Sequence, residues 1–356
     1  MSIIQIYLSM LLATSSVSAL CGEEMPNSPD PGQSETVSIS VSDPNMGEVE
    51  RSFVIRLPSR YSIDNDAETP LLLDFHGWHN DANSQAFNQL EDVSDEDEDG
   101  GFILVRGNGV GDPSTPDENW GSWNCSRTDG PLGPPCVLPR PESDPTHCYE
   151  SCGSCDVVNS CDWTSCYDDI AFVRAMIDYV EDNYCLDAKS IHLTGYSNGG
   201  MFSYYAASRL NDIVASIAPN AGSPLLGFGD VPLDPPVSVI DFHGFFDNLV
   251  PYDTEAIFAM GEGPHDSVIS TLYYYFEQKP DTVARWAGEM GCLSRDGYPT
   301  AMDGVNGWLC EIWSGCSEET EFVTCTGDHG HTYPFGPSFV DGTRILWDFM
   351  KRHRKS

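Results

Sequence analysis

Basic residues are scarce: 17 Lys and Arg stand against 55 Asp and Glu, a formal net charge of −38 at pH 7. A surface of that sign repels nucleic acid and anionic lipid, so neither is expected as a partner. Beyond the N-terminal stretch no apolar run is long enough to span a bilayer, and no stable membrane association is expected. Internal repeats are absent. Cys152-x2-Cys155 has no cleanly spaced second pair to complete a zinc site, so these cysteines are read as disulfide-forming.

The first nineteen residues also lack Asp, Glu, Lys and Arg, carry an apolar stretch from Ile3 to Ala13 and end in Val17-Ser18-Ala19. That layout is read as a signal peptide over 1–19, followed by a flexible Pro/Ser-rich leader over 20–35. Thirteen cysteines suit an oxidising exterior and agree with a secreted, extracellular protein. An odd count leaves one thiol over, and isolated Cys21 is the expected unpaired one. The basic run Lys351-Arg352-His353-Arg354-Lys355 within 351–356 is read as a solvated tail.

What remains, 36–350, is expected to form one catalytic domain. Nearly continuous apolar runs at Leu71–Phe75, Phe102–Val105, Ile191–Thr194, Val214–Ala218 and Val237–Phe242 predict strands buried on both faces of a sheet. Helical spacing fills the segment Asp168–Tyr184 through Ile170, Val173, Met176, Ile177 and Val180. Strands alternating with helices predict an α/β fold with a mainly parallel central sheet flanked by helices. Residues 107–166 interrupt the alternation: they hold seven cysteines, abundant Gly and Pro and almost no periodicity, so they read as a Cys-rich loop insertion.

Gly195-Tyr196-Ser197-Asn198-Gly199 matches a G-x-S-x-G nucleophile elbow, preceded by a β-run and followed by the helical stretch Asn198–Leu210. A serine hydroxyl needs a base to take its proton, and the base needs an acid to fix its tautomer. Asp247, in the loop beyond the fifth apolar run, is the candidate acid; Asp241 should point into packing. Asp328-His329-Gly330-His331 follows the β-like run Glu321–Cys325 and supplies the candidate base, with both His329 and His331 open. Oxyanion stabilisation calls for backbone N–H donors, here expected from Asn198 and from Trp78 in the loop Phe75-His76-Gly77-Trp78. Trp120, Trp123 and Tyr333 are candidate substrate contacts, with packing as the competing reading. Asp95-x-Asp97-x-Asp99-Gly100 mimics the start of a calcium loop, but Arg106 stands at its twelfth position, which favours a solvated acidic loop. Asn124-Cys125-Ser126 fits a glycosylation acceptor.

Taken together, His76-Gly77, Asp168-Asp169, Gly195 to Met201, His243-Gly244 with Asp247 and Val250-Pro251, Gly315-Cys316 and Gly330-His331-Thr332-Tyr333-Pro334 resemble a secreted esterase family. That family includes polyhydroxybutyrate depolymerase-like enzymes and feruloyl or acetylxylan esterases (carbohydrate esterase family one), and the resemblance covers roughly residues 50 to 350. Tyr333 stands where the family usually carries Trp, and the insertion is not part of its minimal form. The resemblance implies an α/β-hydrolase fold, a Ser197, Asp247, His331 triad, an ester substrate that is polymeric or oligomeric, and neither metal nor organic cofactor. Two alternatives stand beside it. The His-Gly-x-x-Asp-x-x-Val-Pro stretch also resembles prolyl-peptidase-like hydrolases, and the scaffold could serve as a non-catalytic carbohydrate- or surface-binding protein.

Overall fold

A computed structural model describes residues 21, 29–62, 68–84, 89–111, 123, 165, 167–225, 234–300, 303, 308–333 and 342–356. The signal-peptide stretch 1–19, Trp120, Asn124, Pro334 and almost all of the Cys-rich insertion lie outside the described residues.

The predicted runs become strands. In chain order the elements are β1 (Ser34–Asp43), β2 (Gly47–Arg56), β3 (Thr69–Phe75), α1 (Leu90–Glu96), β4 (Ile103–Gly107), α2 (Asp169–Asn183), β5 (Leu186–Tyr196), α3 (Asn198–Arg209), β6 (Ser216–Asn220) and β7 (Ser238–Gly244). Then come the short strands β8 (Gly261–Glu262), β9 (Val268–Ile269) and β10 (Tyr275–Phe276), followed by α4 (Lys279–Glu289), β11 (Ser294–Gly297), β12 (Leu309–Ser314), β13 (Phe322–Gly327) and α5 (Gly342–Met350). Among the described residues one sheet runs β1-β2-β4-β3-β5-β6-β7-β13-β12-β11. Its middle, from β4 to β13, is parallel, and antiparallel strands flank it on both sides.

Side chains alternate across a strand, so a strand covered on both faces must be apolar at successive positions. Leu71, Leu73 and Phe75 enter a core layer with Phe172, Val173, Met176 and Val180 of α2 and Phe202 of α3. Leu72 points the other way, into a second layer with Leu90 and Val93 of α1 and Leu346 and Trp347 of α5. Each such fully buried side chain contributes about 1.5–3 kcal/mol. Helix α2 begins where Asp168 Oδ1 accepts the Ala171 N–H at 2.9 Å, and Asp169 behind it pairs with buried Arg51 at 2.7 Å. Among the described residues no helix is long and apolar enough to cross a membrane.

Two expectations are corrected here. Cys21 is not unpaired: it is disulfide-bonded to Cys185, just before β5, and so ties the leader to the sheet. Cys292–Cys316 and Cys310–Cys325 are also bonded. Nor is the basic tail solvated along its length. Arg354 pairs with buried Asp187, Arg352 with Glu321, and Lys355 Nζ donates to the Pro236 carbonyl at 3.0 Å. With Lys351 on Asp97 and His353 beside Glu321, five cationic or imidazole side chains of the tail reach back to the chain, which carries a large surplus of carboxylates.

The calcium-like segment turns its carboxylates onto protein donors. Asp95 accepts from Arg56 at 3.0 Å, and Asp97 accepts from Trp347 Nε1 at 2.9 Å and Lys351 Nζ at 3.1 Å.

Candidate active site

Strand β5 ends at Tyr196 and α3 starts at Asn198, so Ser197 alone makes the turn between them. Its backbone takes φ 55°, ψ −116°, a conformation that costs an L-residue energy and persists only where the surroundings enforce it. The surroundings do. Ser197 N–H donates to Asn220 O at 2.8 Å, and Met201 N–H donates to Ser197 O at 2.9 Å. The flanking glycines are required by space: a Cβ on Gly195 would sit 2.4 Å from Gly199 O, and one on Gly199 would sit 2.0 Å from Phe75 O.

Three loops at the carboxyl ends of β5, β7 and β13 bring the predicted side chains together. Ser197 Oγ lies 2.8 Å from His331 Nε2, and His331 Nδ1 lies 2.7 Å from Asp247 Oδ2. A carboxylate can only accept, so Nδ1 carries the imidazole proton and Nε2 is the bare nitrogen facing the serine. Asp247 Oδ1 in turn accepts the N–H groups of Leu249 at 2.9 Å and Val250 at 2.8 Å. Burial by itself would raise this carboxyl. The facing His331 and His243 imidazoles and the Val250 N–H outweigh it and hold the acid ionised below the usual carboxylate range.

The candidate base is held by its own backbone carbonyl. Tyr196 Oη donates to the His331 carbonyl at 2.8 Å, and its ring lies 5.1 Å from the imidazole. His329 is placed elsewhere: its ring stacks on Trp308 at 4.4 Å, and its Nδ1 donates to Gly330 O at 2.9 Å.

Of the two candidate oxyanion donors, Asn198 is the first residue of α3 and is fully buried, its Oδ1 accepting the Trp123 N–H at 2.8 Å. Trp78 lies half-buried in the loop after β3, one residue beyond Gly77, whose absent side chain lets Tyr196 approach. His76 pins that loop. Its Nε2 accepts the Gly109 N–H at 2.9 Å and its Nδ1–H donates to Gly77 O at 2.7 Å, which fixes the neutral tautomer. Burial lowers its pKa to about 4, so the ring stays neutral and structural.

Of the three candidate aromatic contacts, Trp120 lies outside the described residues and the other two take the packing alternative. Trp123 is fully buried, donates from Nε1 to His76 O at 3.0 Å and packs on Phe75 and Phe202, so it belongs to the core. Tyr333 is buried as well, its hydroxyl accepting from Asn220 Nδ2 at 3.3 Å and its ring against Tyr196. Both side chains are interior, Trp123 in one core layer and Tyr333 in the other.

Sequence reasoning overlooked Asn220 and Tyr196, which brace the elbow and the base through backbone carbonyls. It also overlooked a buried ion pair behind the elbow, where Lys279 Nζ donates to Asp241 Oδ2 at 2.7 Å and to Gly222 O at 3.1 Å. Asp241 also accepts from Tyr204 Oη at 2.7 Å.

No family model matches the chain. It is 28% identical over 188 residues to feruloyl esterase B of Piromyces equi, covering 52% of this chain and 31% of that protein. It is 26% identical over 186 residues to a probable feruloyl esterase C of Aspergillus niger, covering 51% and 57% respectively. A third relative is a bifunctional acetylxylan esterase/xylanase of Neocallimastix patriciarum, 27% identical over 186 residues, 48% of this chain and 27% of that protein. The chain is a relative of the feruloyl and acetylxylan esterases. It spans between about a quarter and just over half of the length of these curated relatives. Among solved structures, an acetyl xylan esterase from Aspergillus awamori superposes with a TM-score of 0.50 at 13% identity, covering 89% of this chain and 99% of that one. Native pOPH matches with the same score and identity over 93% and 89%. This relative of the esterases has the α/β-hydrolase fold.

Proposed function

We propose that the chain is a secreted serine esterase that hydrolyses carboxylic esters through Ser197, His331 and Asp247. The observation that carries the reading is the unbroken hydrogen-bonded line from Ser197 Oγ through His331 to Asp247. His331 Nε2 takes the hydroxyl proton as Ser197 Oγ attacks the ester carbonyl, and the imidazolium that forms is balanced by the Asp247 carboxylate. The oxyanion is met by the backbone N–H groups of Asn198 and Trp78. Collapse of the intermediate expels the alcohol, protonated by His331, and leaves an acyl group on Ser197. Water, deprotonated by the same imidazole, then releases the acid and restores the serine.

The names of the relatives support a feruloyl or acetyl ester of a plant polysaccharide as substrate, and native pOPH supports the same fold without choosing a substrate. Secretion is supported by the disulfides and by the layout of residues 1–19. Treatment with a fluorophosphonate followed by peptide mapping tests the reading. A single adduct on the peptide containing Ser197 is expected; folded protein that takes no label would favour a binding protein and refute the mechanism. Faster turnover of aminoacyl amides than of acetyl or feruloyl esters would assign a peptidase instead.

A further inference from the structure

We propose that His243 is a positioning residue for the candidate triad: by holding the Val250 carbonyl, it fixes the turn that aims Asp247 at His331. The inference rests on the triad reading above. His243 is the penultimate residue of β7 and is fully buried, its ring edge-on to Tyr252 at 5.8 Å. Nε2 lies 2.8 Å from Val250 O and 3.6 Å from Asp247 Oδ2. A carbonyl only accepts, so the single proton of the neutral ring sits on Nε2. Nδ1 is then bare, and among the described residues it has no hydrogen-bond partner. A dry interior penalises such a nitrogen, so a residue chosen only for packing would not be an imidazole.

Val250 is held on both sides of its Cα, through the two peptide units that flank it. Its N–H is accepted by Asp247 Oδ1 at 2.8 Å and its C=O is held by His243. The carboxylate therefore cannot swing without breaking the turn, and the turn cannot rotate without losing the imidazole. The charged and titratable groups facing His243 are Lys279, Asp247, Asp241 and Tyr252. Burial and the Lys279 ammonium keep the ring neutral, with a pKa of about 4. It thus donates one hydrogen bond, to Val250 O, and remains uncharged beside Asp247.

The donor is Nε2, and that detail supplies the test. A glutamine amide reaches as far from the backbone as Nε2, whereas an asparagine amide reaches only as far as Nδ1. Both variants are assayed for kcat and KM on p-nitrophenyl acetate, alongside melting temperature and Ser197→Ala. His243→Asn is expected to lower kcat about 10- to 100-fold with KM within about twofold, as a misplaced catalytic group does, and His243→Gln to recover most of the loss. Turnover of His243→Asn at the wild-type rate would overturn the proposal, as would equal losses in both variants that follow the melting temperature. Should the Asn variant not fold, nitrogen NMR of the wild-type imidazoles decides. Expected is a neutral His243 protonated on Nε2 from about pH 5 to about pH 8, and a proton on Nδ1 would overturn it. An active Ser197→Ala would remove the triad reading itself; an inactive one with unaffected His243→Asn would remove only this inference.

Discussion

Ser197 sits in a strained backbone conformation held at both of its peptide groups: its N–H donates to Asn220 O and its C=O accepts from the Met201 N–H. Strain held in this way aims the hydroxyl at His331 before any substrate arrives. Asp247 does a different task at the same scale. With Oδ1 occupied by two backbone N–H groups, Oδ2 is left to receive the His331 Nδ1 proton and select its tautomer. Asp247→Asn should keep the fold and lower kcat about 10⁴-fold, because the amide can donate to Nδ1 and so place the imidazole proton on the wrong nitrogen. Steady-state kinetics with an unchanged melting temperature checks this, and a loss of only a few-fold would deny Asp247 its role.

At the scale of elements, the elbow depends on α3 pressing against β3. Gly199→Ala places a methyl 2.0 Å from Phe75 O, a backbone atom that cannot move without shifting a central strand. Insoluble expression or a fall of several degrees in melting temperature is expected, since overpacking of this kind costs about 1–3 kcal/mol or more. Near-normal stability would mean the strand and helix are farther apart than described. The strands that carry the site were legible because burial on both faces demands continuous apolar runs, as at Leu71–Phe75 and Val237–Phe242. The edge was not. β11 reads Ser-Arg-Asp-Gly and is exposed throughout, so no hydrophobic period marks it. The turn at Ser197 and the loop that carries Asp247 were equally readable as local structure, since glycine spacing and a loop after a buried strand are local signals. Choosing His331 over His329 depended on family resemblance, because two histidines with only Gly330 between them carry the same pattern. Whether Trp123 packs or faces substrate was left open for a related reason: one aromatic beside a cysteine-rich stretch has no period to say which way it faces. Cys21 was misread because its partner lies 164 residues away, and pairing at that distance is a property of the fold.

For the whole molecule, charge and buried histidines set the response to solvent. His76, His192 and His243 are neutral in the interior, with pKa values lowered by burial to about 4, about 3 and about 4. Unfolded, each would titrate near 6.5. Between these limits the unfolded chain binds protons that the native protein refuses, so stability is complete above about pH 6.5 and falls as pH drops toward about 4. A melting temperature that declines steadily over that window is expected in calorimetry, and a flat profile would contradict the buried neutral rings. The net charge of −38 adds self-repulsion that salt screens, so melting temperature should rise as NaCl is raised from about 0.01 M to about 0.5 M. The docked tail opposes that repulsion. Removing residues 351–356 takes away the Arg354 and Arg352 pairs and leaves Asp187 buried without its cation, so the truncated protein should melt earlier, most visibly at low salt.

The proposed chemistry converges on one oxygen atom, Ser197 Oγ. The direct measurement is kcat/KM of Ser197→Ala on a short-chain p-nitrophenyl ester, with folding confirmed by an unchanged melting temperature. A fall of at least about 10⁴-fold is predicted; turnover within about tenfold of the wild type would contradict it.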